Sequence, residues 1–489
     1  MRRLLDVARG AYSRLPPGTR ARLGCFVQLV PERLKWGSSY RQWRELIAAA
    51  RTDSALVRDH QERARRALLS AAARSRYYGN LFKTVFGSEI RPEQLLDREH
   101  WAKIPVLTAA EVQASAKDMC TCPIEALDIG STGGSSGRPV KFYIDKHRSP
   151  IEYAFVHDAW SRAGYRAGDP RCVFRGVELS SSEKPHMQYD QGLAELRCSV
   201  FHLTDETMRG YCEQIRARGI RFVHGYPSAI AIFASFLNRS GLAPLSQIEG
   251  VFPTSERFHE SHLETISRAF DRATIVPFYG LSEKTAFACA RPNDTDVFEF
   301  DPLYGYTELL DEVGAPVTNI GASGRIISTG LLFHGMPFIR HDTGDTGELV
   351  ALPSAGNGYR LAVRSITPKH GIEFFVGRSG ALIAVKGIIS NLQGTAYGIR
   401  EYQFYQDTPG EAVVRIVPLS PGAADFSKYR DLLDRKAAGE LRTTVEVTDR
   451  IPLTQRGKRK FIDQRLDLTR IGGDPQTRHE PAPALVDLL

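Results

Sequence analysis

The chain has 489 residues, 42% hydrophobic and 25% charged, which excludes a disordered chain or a disulfide-stapled mini-protein and leaves room for several domains. The formal net charge is +8 and the isoelectric point near 9.1. No basic run is interleaved with aromatics, so nucleic acid is not an expected partner, and no apolar run reaches the roughly 18–20 residues that span a bilayer.

The opening MRRLLDVARGAYSRL spaces Leu4, Ala8, Ala11, Tyr12 and Leu15 as one face of a basic helix. It is the one segment through which membrane contact is expected. Residues 40–75 and 92–118 read as helical. From residue 125 the pattern changes. VKFYI, CVFRG, IRFVHG, IEGVFPTS and TIVPFYG read as short strands. They alternate with IEYAFVHDAWSRAG, MRGYCEQIRARG, PSAIAIFASFLNRSG and HLETISRAF, which read as helices. Such alternation predicts βαβ units, a parallel sheet, and ligands at the carboxyl ends of its strands. After residue 300, GYTELLDEVG, GRIISTGLL, GELVALP and YRLAVRSI read as antiparallel strands. IREYQFYQDTPGEAVVRIVPLS then predicts a hairpin, DFSKYRDLLDRKAAGEL a helix and TTVEVTD a strand. Seven irregularly spaced cysteines fit reduced thiols in a cytoplasmic protein rather than a disulfide framework or a zinc site.

The stretch STGGSSGRP, residues 131–139, combines three glycines with four hydroxyl side chains. Glycines let backbone amides approach a ligand, and successive amides make an anion nest. A flexible linker has the same composition. The P-loop pattern is not met, because Arg138 stands where lysine is required.

Four further stretches follow in order: FYGLSEK (278–284), RHDTGDTGEL (340–349), VGRSGALIAVKG (376–387) and RIPLTQRGKRKFI (450–462). Together with the glycine loop they resemble the core motifs of the adenylate-forming superfamily, which includes acyl-CoA synthetases and peptide-synthetase adenylation domains. The resemblance covers roughly residues 75–465. YGLSE, TGGSSGRP and MPFIRHDTGD resemble the phenylacetate–coenzyme A ligase branch. HGYPSAIAIFASFL and LVPERLKWGSSYRQWRELI resemble a subgroup of it found with capsule and surface-polysaccharide genes.

The resemblance implies an α/β fold, with a large adenylate-forming domain of parallel and antiparallel sheets and a small mobile α+β lid. The expected division is an N-terminal helical extension over 1–75, the ATP- and acid-binding domain over 76–377, the lid over 378–470 and a loose tail over 471–489. The implied cofactors are ATP and Mg²⁺. Ser131, Thr132, Gly133, Gly134, Ser135, Ser136 and Gly137 would face the β- and γ-phosphates. Thr254, Ser255 and Glu256 would line the adenine, with Tyr279 stacked on it and Gly280 and Ser282 beside it. Glu283 would be the magnesium carboxylate, Asp345 the ribose carboxylate, Arg378 a nucleotide contact and Lys458 the catalytic lysine. His224, Tyr226, Phe252 and Phe278 are the candidate acid-pocket residues.

The chain departs from the pattern at two places. Asp342 and His341 replace the usual arginine and tyrosine, and Gly380 and Ala381 replace an acidic hinge pair. The expected partner is a small carboxylic acid. The acceptor is coenzyme A or an amine, such as an amino sugar or amino acid in polysaccharide or secondary-metabolite biosynthesis. A non-catalytic nucleotide-binding scaffold is the rival of another class.

Overall fold

The computed structural model describes residues 35–87, 90–131, 140–176, 186–200, 202–256, 260–292, 294–367, 374–384, 399–418, 426–437, 439–451 and 462–466, with residues 19, 179 and 258 singly. The N-terminal amphipathic segment, the glycine loop over 132–139 and Lys458 lie outside them.

The helical stretch expected over 40–75 is two helices, α1 (Gly37–Ala50) and α2 (Ser54–Ala72). The break falls where the Asp53 carboxylate accepts the Leu56 amide at 2.9 Å, a cap that starts a new helix instead of extending the old one. After α3 (Arg76–Phe86), the second expected stretch resolves into α4 (Arg98–Lys103) and α5 (Ala109–Ser115). Thr108 and Glu111 close a capping box at the start of α5. Strands β1 (Leu127–Ser131) and β2 (Lys141–Asp145) pair antiparallel, with Ser131 opposite Lys141. Helix α6 (Ser149–Trp160) follows.

The predicted alternation then appears. Strands β3 (Arg171–Phe174), β4 (Met187–Asp190), β5 (Glu195–Cys198), β6 (Phe222–Gly225), β7 (Gly250–Pro253) and β8 (Thr274–Ile275) form one sheet in the order β4-β5-β3-β6-β7-β8. All its pairings are parallel except β4 with β5. Helices α7 (Asp205–Ala217), α8 (Pro227–Arg239) and α9 (Glu260–Ala269) connect its strands. Side chains alternate between its faces. Val223 and Val251 join Tyr211, Ile215, Ile230 and Phe233 in one core. Phe222 and Phe252 join Trp160 and Tyr165 in another, where Trp160 lies flat on Phe252 with ring centroids 4.9 Å apart.

The antiparallel sheet comprises β9 (Phe278–Gly280), β10 (Phe287–Arg291), β11 (Asp294–Phe300), β12 (Gly305–Leu310), β13 (Ser323–Gly330), β14 (His341–Ala351) and β15 (Ala362–Thr367). Its order is β12-β13-β14-β15-β11-β10-β9. The segment between β9 and β10 crosses back to the far strands. Ser328 Oγ of β13 donates to Thr285 Oγ1 at 2.6 Å. Gly305 of β12 admits the Thr285 carbonyl so closely that a Cβ there would meet its oxygen at 2.2 Å. The sheet is therefore strongly curled.

A hairpin of β16 (Phe374–Val376) and β17 (Leu382–Ala384) precedes the last sheet. That sheet contains β18 (Ile399–Gln406), β19 (Glu411–Pro418), β20 (Arg442–Val447) and β21 (Ile462–Gln464), ordered β20-β19-β18-β21, with α10 (Ser427–Ala437). The Gln406 amide accepts from Val376 N at 2.7 Å and donates to its carbonyl at 2.8 Å, tying the hairpin to β18. No described helix is long and apolar enough to cross a membrane.

Arg340, 4% exposed, ties the helical N-terminal segment to β14. It donates to the carbonyls of Ala102 at 2.8 Å and Ile104 at 2.6 Å and contacts Glu308 Oε2 at 3.3 Å. Arg340→Leu strands these acceptors in a buried place and is expected to lower the unfolding free energy by about 3–5 kcal/mol. The midpoint shift in urea unfolding measures it.

Candidate active site

Three predicted residues from two motifs come together where the curled sheet closes on itself. Tyr279 lies in β9, Glu283 in the segment that follows it, and Asp345 in β14. The DTGD sequence does not run straight along β14. Arg325 pairs with Thr346 and Ile327 with Asp342, so Thr343, Gly344 and Asp345 bulge opposite Ile326 alone. Gly344 takes φ +76°, a conformation glycine adopts without penalty. Asp342 holds the bulge from inside, accepting from Gly344 N at 2.9 Å and from Arg325 at 2.8 Å. Thr343 Oγ1 accepts the Asp345 amide at 3.1 Å. These bonds re-aim Asp345, and Tyr279 OH donates to its Oδ2 at 2.7 Å. Burial and the Asp345 carboxylate raise the Tyr279 hydroxyl well above its ordinary range, so it stays a donor.

Glu283 is buried. His341 Nε2 stands 3.6 Å from its Oε1. Burial disfavours the charged carboxylate, but His341, a backbone amide and Lys284 outweigh it and hold the carboxyl below its usual range. Glu283 is thus an ionised carboxylate inside the fold. His341 Nδ1 is buried without a hydrogen-bond partner among the described residues. Lys284, at φ +60°, contacts Glu152 of α6 at 2.6 Å, and Tyr304 OH donates to the same carboxylate. The pair fixes the turn that carries Glu283.

The segment after β7 adjoins β9. Thr254 bridges to Phe278, and its Oγ1 donates to the Phe278 carbonyl at 3.2 Å. Ser255 follows at φ +71°, with Glu256 beside it. Gly280 and Ser282 are exposed. Ser131 ends β1, and the rest of the glycine loop, Thr132 to Gly137, lies outside the described residues, as does Lys458. Arg378 is exposed, on a turn pinned by Glu440, whose carbonyl accepts the Arg378 amide at 2.9 Å and whose Oε2 accepts the Ser379 amide at 3.0 Å. Gly380 in that turn takes φ +83°.

The four acid-pocket candidates do not form one wall. His224 and Phe252 are register partners on β6 and β7. They share a face with Trp160, and Phe278 lies against His224 with centroids 6.1 Å apart. Phe252 is wholly buried and supports the others from beneath. Tyr226 instead packs into the core on the opposite face.

Two residues that motif reading did not single out stand beside them. Trp160 stacks on Phe252 and lies 4.8 Å from the His224 ring. Arg175 follows β3 and donates to Ser255 Oγ at 3.4 Å. Its signal in the sequence is its place directly after the CVF strand, at a carboxyl end where parallel sheets bind ligands.

Burial, with Arg175 and Arg171, lowers the His224 pKa well below 6.5, and burial, with Arg171 and Arg44, does the same for His157. Both are neutral in the fold. The unfolded chain takes up protons first as pH falls below 6.5, so the stability these groups allow is complete above that value and lost beneath it. Each is expected to add a slope of up to about 1.4 kcal/mol per pH unit between pH 6.5 and 5. Urea unfolding across that range measures it, and His157→Gln should flatten the slope.

A cavity of about 600 Å³ opens away from these residues, lined by Arg51, Asp158, Arg162, Glu299 and Asp301 among others. Asp158 is held by Arg44 and Arg51 at 2.8 and 2.6 Å and Glu299 by Arg291 at 2.7 Å, so these two acidic groups are already matched within the protein.

No protein-family profile and no curated protein matches the chain. Solved structures do. A 2-hydroxyisobutyryl-CoA ligase in complex with 2-HIB-AMP and CoA in the thioesterification state superposes at a TM-score of 0.52 and 18% identity, covering 86% of this chain and 92% of that one. An open conformation of the ligase with the same ligands gives 0.49 at 17% identity, covering 82% and 90%. The likeness to the first shows the fold: mixed α/β, with parallel and antiparallel sheets.

Proposed function

We propose that the chain is an ATP-dependent, AMP-forming carboxylate ligase. The observation that carries this reading is the junction of Tyr279, Glu283 and Asp345, three motif residues that the curled sheet gathers at one seam. A carboxylate oxygen of the acid attacks the α-phosphorus of ATP. The bond to the β-phosphate oxygen breaks, pyrophosphate leaves, and an acyl–AMP mixed anhydride remains. A thiol then attacks the acyl carbon and AMP departs. Coenzyme A is the proposed acceptor, in keeping with the ligands of the similar structure.

Asp345 has the chemistry to accept both ribose hydroxyls, and Tyr279 fixes its orientation. One buried, ionised carboxylate fits a magnesium that arrives on the phosphates, which needs only one or two protein carboxylates. Among the described residues no cluster of three ligating side chains forms a resident metal site. Glu283 would hold the ion, whose charge offsets that of the phosphates. By resemblance, the loop from Ser131 to Gly137 faces the phosphates, Lys458 reaches between the acid carboxylate and the α-phosphate, and residues 378–470 form the lid that carries it. Gly380, already in the left-handed region, suits a hinge between the two poses such a lid adopts.

The test is acid-dependent ATP–pyrophosphate exchange across aryl, fatty, hydroxy and dicarboxylic acids, with hydroxamate trapping and with and without coenzyme A. An acid that supports exchange and yields an acyl-CoA supports the reading. Hydroxamate without thioester moves the acceptor to an amine. No exchange with any acid supports the scaffold instead.

A further inference from the structure

The carboxyl ends of β3, β6 and β7 meet around one cation. Arg175 follows β3, His224 and Tyr226 lie at the end of β6, and Ser255 follows β7. Arg175 is half-buried. Its guanidinium carbon lies 5.7 Å from the centre of the Tyr226 ring, and its Nη2 donates weakly to Ser255 Oγ at 3.4 Å.

The neighbouring arginines are matched by acids. Arg171 binds Glu195 at 2.5 Å, and Arg197 binds both Asp190 and Glu195 at 3.0 Å. Those carboxylates are therefore taken. Arg175 has no carboxylate within ion-pair distance among the described residues.

Beside it, the His224 Nε2 is buried and has no hydrogen-bond partner among the described residues, in a side chain only 8% exposed. An unmatched cation that lies over the Tyr226 ring and an unsatisfied ring nitrogen that lies against Phe278, both at strand ends, lack one thing: an anion that also accepts or donates hydrogen bonds. The Ser255 backbone, held at φ +71°, presents its hydroxyl to the same place at a conformational cost that functional sites tolerate.

We infer that Arg175 is the receptor for a second carboxylate on the acid substrate, so that the ligase acts on dicarboxylic acids. This rests on the ligase reading above. The reacting carboxylate must reach the α-phosphate, a task that resemblance gives to Lys458, which leaves Arg175 for the far end of the acid. A planar guanidinium accepts a carboxylate edge-on through two N–H donors. The Phe278 ring, against His224, would face the carbon chain between the two ends.

The experiment compares acids matched in length: glutarate with valerate, and terephthalate with 4-methylbenzoate. Acid-dependent ATP–pyrophosphate exchange is measured for the full chain and for Arg175→Met and Arg175→Lys. The expected result is that the native chain prefers each diacid. Arg175→Met should lower the diacid-to-monoacid ratio of kcat/KM about 10–100-fold, through KM for the acid. Arg175→Lys should restore part of it.

A native preference for the monoacids, or a ratio unmoved by Arg175→Met, overturns the inference and leaves the ligase reading standing. If no acid supports exchange, the ligase reading fails. Calorimetric titration of glutarate and terephthalate into the nucleotide-free chain then decides Arg175 alone. Binding that Arg175→Met abolishes supports the receptor, and no binding refutes it.

Discussion

Replacing Asp345 by asparagine is expected to lower acid-dependent ATP–pyrophosphate exchange about 10²–10³-fold, chiefly by raising KM for ATP. The carboxylate offers two oxygens, and Tyr279 occupies one at 2.7 Å. In the proposed complex the ribose hydroxyls donate to the same group. Each hydrogen bond to a charged acceptor contributes about 1.5–3 kcal/mol, and asparagine turns one acceptor oxygen into a donor. Folding should survive, because the bulge is held by Asp342, Thr343 and Arg325 rather than by Asp345. Steady-state exchange against ATP concentration, with circular dichroism as the folding control, checks both statements. A variant with unchanged KM for ATP would remove Asp345 from the nucleotide site.

Glu283→Gln is expected to act differently. It keeps the shape of a buried side chain and removes its charge. The described structure holds that charge in the ionised form against the pull of burial. Its loss should lower kcat about 10²–10³-fold, the scale on which one preorganised charge in a water-poor site acts, and raise the magnesium concentration at half-maximal rate. The partner imidazole of His341 would lose its acid but not its place, since residues 341 and 328 remain paired in the ladder. Exchange assayed as a magnesium titration distinguishes this from the Asp345 effect, which follows ATP. An unaltered magnesium dependence would assign Glu283 a purely architectural role.

The alternation of β3, β6 and β7 with α7, α8 and α9 was legible because each element is short, apolar and bounded by turn residues, whereas β4 and β5, which follow β3 with no helix between them, were not. The antiparallel character after residue 300 was legible for the same reason. The helical stretch over 40–75 was legible in type but not in number. Its division depends on one side chain, Asp53, accepting one amide. Motif order pointed to Tyr279, Glu283 and Asp345 separately. Their junction was not legible, because it arises from the curl of the sheet and from a bulge of three residues opposite one. The acid-pocket reading placed Tyr226 with His224, two positions apart. Beyond the strand, Tyr226 turns into the core of the opposite face, which period-2 reasoning does not foresee. Arg175 escaped notice because a lone arginine after a strand carries no pattern. What marks it is that no acid among the described residues pairs with it in space.

The Tyr279–Asp345 bond joins strands that stand four places apart in the sheet order. In a flat sheet that separation is about 19 Å. One phenol therefore acts as a clasp between two rims, and in the proposed complex the nucleotide would tighten that clasp. Opening of β9 and β10 should then be the local unfolding event that such a ligand suppresses. Amide hydrogen exchange in β9 and β10 is expected to slow when ATP is added and to quicken in Tyr279→Phe, while the amides of β6 and β7 keep their rates. The strength of the ligand would be readable in the breathing of a strand far along the ladder from the carboxylate it binds.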